Sequence, residues 1–267
     1  MNIRKILILV DLSETTPSLL RYGVQLASSL SAHVWVQHVY YFPPDLAGDV
    51  LIPPDALERY EVQARKKLED LKHSVASLIE KPLHTIVVRG DLAVQANRLI
   101  EQQHIDLAVI GNRGGGLSSN ILGSNTLKII YHLQCPVLSV PTQASFQPFR
   151  RIAFATDWQQ TSPKHVDQLK SLVNSWKAHL DIIHVSADKK PSENVNELYH
   201  LEDIPYTLHY LWDKDIEVGL QKYVAEQQTD LLILIPHQHS FFDRLFQRSI
   251  TQQMVYHSHL PLLTLRE

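Results

Sequence analysis

Five of the nine glycines in this 267-residue chain fall between positions 111 and 123: Gly111, Gly114, Gly115, Gly116 and Gly123. Ser124, Asn125 and Thr126 follow at once, and Asn112 and Arg113 stand inside the run. A stretch of this kind suits the binding of a phosphate group. Glycine lets the backbone approach an anion with no side chain in the way. If a helix opens at Gly123–Ser124, its first amides and its dipole face the same anion. Ser124 and Thr126 add hydroxyl donors, and Asn112 or Arg113 can reach in from the other side. The run is neither of the two common phosphate fingerprints. It lacks the Lys-Ser/Thr pair of a P-loop, and the dinucleotide fingerprint belongs after the first strand of a fold, not the fourth. A glycine-rich run is also what a flexible surface connection with a serine cap looks like, so both readings stand at this level.

The elements that would position this loop follow from hydrophobic patterning. Ile6–Val10 is a continuous branched apolar run, the mark of a parallel strand buried on both faces. It ends at Asp11, and Leu19, Leu20, Val24, Leu26, Ala27 and Leu30 then recur at helical spacing. His33–Val39 reads as a second strand, followed by a proline-rich loop from Phe42 to Pro54 and a long polar-faced helix from about Asp55 to Ile79. Leu83–Val88 and Leu107–Ile110 read as strands, with a helix over Leu92–Gln103 between them. A helix opening at Gly123 and a strand over Pro136–Val140 close the unit. Strands alternating with helices predict an α/β fold with a parallel sheet covered on both faces. Ligands of such sheets bind beyond the carboxyl ends of the strands, which is where Asp11, His38–Val39 and the glycine run fall.

The plan then begins again. Arg150–Asp157 repeats the strand that ends in an aspartate, Leu180–Val185 mirrors Val34–Val39, and Asp230–Leu234 mirrors Asp106–Ile110. Tyr131-His132 and Pro136-Val137-Leu138 return as Tyr256-His257 and Pro261-Leu262-Leu263. Self-similarity on this scale predicts two domains, 1–142 and 149–267. The second copy has lost the glycines: Ile235 to Ser249 contains none, Arg248 stands where Gly123 stands, and Pro236 removes an amide. The second domain is therefore not expected to bind phosphate in the same way.

Bulk composition narrows the function. Hydrophobic residues make up 44% and charged residues 20%, which excludes a disordered chain. The 25 Lys and Arg against 28 Asp and Glu leave a net charge of −3, with no basic face for nucleic acid. Cys135 is single, so no internal disulfide forms, and it reads as a small core residue. No apolar run approaches membrane-spanning length, and a cytoplasmic protein is expected. Two histidine pairs, His237/His239 and His257/His259, raise a zinc site, but they should lie towards opposite ends of the sheet and are expected to be solvated or capping. No nucleophile–base arrangement is evident, so no catalytic residue is assigned.

The whole pattern is similar to the universal stress protein family: strand-Asp-x-Ser at the start, Gly-Asn-Arg-Gly after the fourth strand, Gly-Ser at the last helix, then Cys-Pro-Val-Leu-Ser-Val-Pro. The resemblance covers nearly the whole chain as a tandem pair. It implies two Rossmann-like domains of the adenine nucleotide alpha hydrolase-like type, each a five-stranded parallel sheet with helices on both faces. In the ATP-binding branch the signature is Gly, two residues, Gly, nine residues, Gly, then Ser or Thr. Gly111, Gly114, Gly123 and Ser124 match it, with eight residues between the second and third glycine; Gly115 and Gly116 supply the freedom to absorb the difference. The resemblance implies ATP or a related adenine nucleotide, with or without magnesium, at Asp11, His38, Val39, Gly111, Asn112, Arg113, Gly114, Gly123, Ser124 and Asn125. It implies a regulatory stress protein with at most slow ATP turnover. It also implies an intramolecular pseudo-dimer through the last strands, 137–140 and 262–265, and leaves open a homodimer of two such chains. The rival is an interaction protein with both sites closed, which binds a protein partner through surfaces such as the Phe241-Phe242-Leu245-Phe246 cluster.

Overall fold

The computed structural model describes residues 2–41, 54–112, 129–156, 162–186, 201, 203–235 and 260–266. The chain divides into two compact units, Ile3–Cys135 and Pro136–Glu267, the second taking in the first two residues as well.

In the first unit β1 (Lys5–Val10), β2 (His33–Tyr40), β3 (Leu83–Arg89) and β4 (Leu107–Gly111) form a parallel sheet in the order β3-β2-β1-β4. The helices are α1 (Thr16–Ser29), α2 (Pro54–Val75) and α3 (Leu92–Gln103). α2 is followed by a single 3-10 turn, Ala76–Leu78, so the regular helix stops short of the predicted Ile79. Strand alternation assigns the faces. Ile8 lies under Gly23 of α1 and His38 meets Tyr60 of α2, while Gln37, one residue along, donates to Gln95 O of α3 at 3.4 Å. α1 and α2 thus cover one face and α3 the other. Every residue of β1 from Ile6 to Val10 is buried, as the run of branched residues predicts.

In the second unit β5 (Val137–Val140), β6 (Arg151–Ala155), β7 (His179–Ser186), β8 (Tyr206–Trp212), β9 (Leu231–Leu234) and β10 (Leu262–Thr264) take the order β5-β10-β9-β6-β7-β8. Its helices are α4 (Pro163–Trp176) and α5 (Ile216–Gln227). All pairs are parallel except β5–β10, which is antiparallel with Leu263 opposite Leu138; Thr264 Oγ1 donates to Val137 O at 3.2 Å. Cys135 is buried and free of disulfide.

The internal repeat reaches individual hydrogen bonds. Asp106 Oδ2 accepts from the amides of Arg4 and Lys5 at 2.8 and 3.0 Å, fixing the start of β4 beside that of β1. Asp230 Oδ2 does the same for Arg150 and Arg151, both at 2.8 Å. The aspartate that precedes each copy's fourth strand is therefore a register clamp. α3 and α4 both begin with a side-chain cap: Asp91 accepts from Val94 N at 3.0 Å, and Ser162 forms a capping box with His165. Among the described residues no helix is long and apolar enough to cross a membrane.

Candidate functional site

β1 lies between β2 and β4, so the carboxyl ends of the three strands adjoin. That edge receives Asp11, His38–Val39 and Gly111–Asn112, as predicted. Arg113, Gly114, Gly115, Gly116, Gly123, Ser124, Asn125 and Thr126 lie outside the described residues, as does the Phe42–Pro53 loop. So do Asp157, the stretch from Pro236 to Ser249 with its aromatic cluster, and the histidines at 237, 239, 257 and 259. Among the described residues no three His, Cys, Asp or Glu side chains converge to hold a metal ion.

Asp11 sits just past β1 and is exposed. Its Oδ1 accepts from Ser13 N at 2.9 Å and from Thr16 Oγ1 at 3.1 Å, an Asx turn that leads into α1. Leu12, between them, has a φ of 59°, in the left-handed region. The chain thus swings sharply off the sheet after Val10, while β2 continues to Tyr40. The last residues of β2 lose their β1 neighbour there. Tyr40 O accepts from Gly90 N at 3.0 Å, so Tyr40 faces β3. Alternation along the strand turns the Val39 carbonyl the other way, past the end of β1. That carbonyl lies next to the Asp11 turn.

His38 is buried and fixed at both nitrogens. Nδ1 donates to Val10 O at 2.9 Å, since a carbonyl can only accept. Nε2 then lies 3.0 Å from the Tyr60 hydroxyl, which donates to it. Burial pushes the His38 pKa below its usual 6.5, against the opposing pull of the Val10 bond and of Asp11, and so favours the neutral ring this arrangement needs. Beside it Tyr40 donates to Glu61 Oε2 at 3.0 Å, and Arg65 holds Glu61 Oε1 at 2.6 Å. Gly111 closes β4, and Asn112 is buried directly after it.

Two α2 residues belong to this edge although neither is a predicted site residue: Tyr60, and Lys67, whose Nζ donates to Leu12 O at 2.6 Å. They are seven residues apart, two helical turns, and so share a face. Ala64, which is buried, lies between them. That spacing was the available signal, and it was masked by the charge density of the helix.

The profile of the universal stress protein family matches residues 2–141. The chain is 22% identical to universal stress protein Slr1230 of Synechocystis sp. over 288 residues, covering 98% of this chain and all of that one. It is 31% identical to the universal stress protein A homolog of Haemophilus influenzae, over 52% of this chain and 96% of that one. The crystal structure of a universal stress protein from Archaeoglobus fulgidus superposes with a TM-score of 0.71 at 16% identity, covering 98% of this chain and 96% of that one; this likeness speaks to the fold. With a profile match over more than half its length and a full-length relative of tandem size, the chain is a tandem member of the universal stress protein family.

Proposed function

We propose that the chain is a nucleotide-responsive stress protein that binds ATP or a related adenine nucleotide in the first unit only. The observation that carries this reading is the position of Val39, one residue past the last β1–β2 pair (Val10–His38), beside the Asp11 turn and one strand away from Gly111. A strand-end carbonyl on this edge would accept from an exocyclic amine such as that of adenine. Asp11 is placed for a ribose hydroxyl or a magnesium ion, and Gly111, Asn112, Arg113, Gly114, Gly123, Ser124 and Asn125 supply the phosphate loop of the family signature. The described residues fit such a ligand: the edge combines backbone acceptors, one carboxylate and the first glycine of the loop. In the second unit the loop has no glycine, and Arg248 stands where Gly123 stands in the first.

One observation favours the alternative of an interaction protein with both sites closed: the Asp11 carboxylate is already engaged by Ser13 and Thr16 of its own turn. Thermal unfolding with and without magnesium and ATP separates the two. A ligand at a hundred times its Kd adds about 2.7 kcal/mol of stability by mass action. No shift at millimolar ATP would sink the nucleotide reading. Gly123→Arg, which copies the second unit, should abolish a shift seen in the parent.

A further inference from the structure

Helix α2 carries Arg59, Arg65, Lys66, Lys67 and Lys72. Three of these charges are balanced on the helix itself: Arg59 by Asp55 at 2.8 Å, Arg65 by Glu61 at 2.6 Å, and Lys72 by Glu69 at 3.0 Å. Lys67 is used differently. It extends off the helix to the sheet edge, where its ammonium donates to the carbonyl of Leu12, the residue directly after Asp11. One of its three donors is thereby placed on a neutral acceptor, and the group stays exposed to solvent. Its charge is felt at His38, where it opposes the effect of Asp11, so cation, carboxylate and imidazole occupy one edge.

The internal duplication supplies an independent argument. In the first copy, residues 41–82 separate β2 from β3 and contain α2. In the second copy, 187–205 separate β7 from β8, fewer residues than α2 alone contains. The same copy lacks the glycines of the phosphate loop. The connection long enough for the helix that delivers a lysine to the Asp11 turn and the glycine run suited to phosphate occur together in one copy, and the sequence of the other has neither.

We infer that Lys67 is an anion-binding residue of the first unit's edge, contributing a point charge to the phosphate chain of an adenine nucleotide. The inference rests on the nucleotide reading above and adds a residue from outside the glycine signature. A solvent-exposed ammonium beside a polyphosphate acts through modest, salt-screened attraction, so its signature is selective: it affects ligands by their phosphate charge and leaves the nucleoside alone.

The test is calorimetric titration of the full chain with magnesium-ATP and with adenosine, in the parent, Lys67→Gln and Lys67→Arg. Lys67→Gln should weaken ATP about five- to tenfold, less so as salt rises, and leave adenosine within about twofold. Lys67→Arg should keep most of the ATP affinity, because the charge is retained. Unchanged ATP affinity in Lys67→Gln overturns the inference and leaves the nucleotide reading intact. Equal losses for ATP and adenosine also overturn it, since they would mean that Lys67 only braces the Leu12 turn. A parent that binds neither ligand removes the nucleotide reading itself, and this inference with it.

Discussion

His38 donates from Nδ1 to the carbonyl oxygen of Val10 at 2.9 Å, and the bond recurs in the second unit between His184 and Thr156 at 3.1 Å, with the partners 28 positions apart in both. The bond ties the end of β1, and of β6, to the next strand at the point where the chain leaves the sheet. It persists in the copy without the glycine loop, so it belongs to the fold as much as to the site. His38→Leu should cost about 1–3 kcal/mol, the usual loss when a buried donor is removed, and His184→Leu, at a half-buried donor, a cost at the lower end of that range. Urea denaturation measures both. A cost at His38 with none at His184 would mean that the bond serves only the first unit.

The same imidazole predicts a pH dependence. The folded state holds His38 neutral with a pKa below 6.5, while the unfolded chain protonates near 6.5. As pH falls through that value the unfolded state takes up the proton first, so stability present above it is lost on acidification, down to the folded pKa. His38→Gln removes this term and can still donate to Val10 O. The parent's stability advantage over His38→Gln should therefore shrink between pH 7.5 and pH 5, followed by urea midpoints at each pH. A constant difference would refute the assignment.

Lys5 and Arg151 open β1 and β6, and each is in register with a histidine of the next strand, His33 and His179. Two residues further along, the copies diverge. The first has Trp35, with Lys5 Nζ 5.8 Å from its ring centre and His84 stacked at 5.1 Å. The second has Asp181, fully buried, held by Arg151 at 2.5 Å with His209 at 3.2 Å. Burial pushes the Asp181 carboxyl up, but Arg151, Tyr223 and His209 outweigh it and hold the group below the usual carboxylate range. Its contribution is thus present above about pH 3.8 and lost as pH falls through the lower folded value. Asp181→Asn should cost about 1–3 kcal/mol at neutral pH, less than for a fully enclosed pair because Arg151 still reaches water. Asp181→Leu combined with Arg151→Met should recover much of that loss. Equal instability in the single and double variants would show that the pair is not the source.

Much of this framework could be read from residue types. Branched runs marked β1 and β9, and Asp106 and Asp230 recurred in step with their strands. Asp11, Val39 and Gly111 were placed on one edge because parallel topology forces carboxyl ends together. Lys67 was hidden because a lysine in a long charged helix looks like a solvated face; only the distance to Leu12 O distinguishes it from Lys66. Asp181 was hidden for the opposite reason. A single carboxylate inside the apolar run Leu180–Val185 does not disturb a strand pattern, and its partners come from three other elements. Contacts between elements far apart in sequence leave no periodicity to detect.

Gly23 sits on α1 directly over Ile8, which is fully buried in β1. A Cβ built there would lie 2.5 Å from Ile8 Cδ1 and 3.0 Å from Cγ1. Alanine in a helix interior is worth up to about 1 kcal/mol over glycine, but overpacking a closed core costs about 1–3 kcal/mol. The buried side chain has little room to turn aside, so Gly23→Ala should be net destabilising by about 1–2 kcal/mol on these terms. Ile8→Val removes the atom in the way and alone should cost about 0.5–1.5 kcal/mol. In the double variant alanine's helix preference is no longer opposed by the clash, so the two costs should fail to add. A double variant as unstable as the sum of the singles would show that Gly23 is required for a reason other than its approach to Ile8.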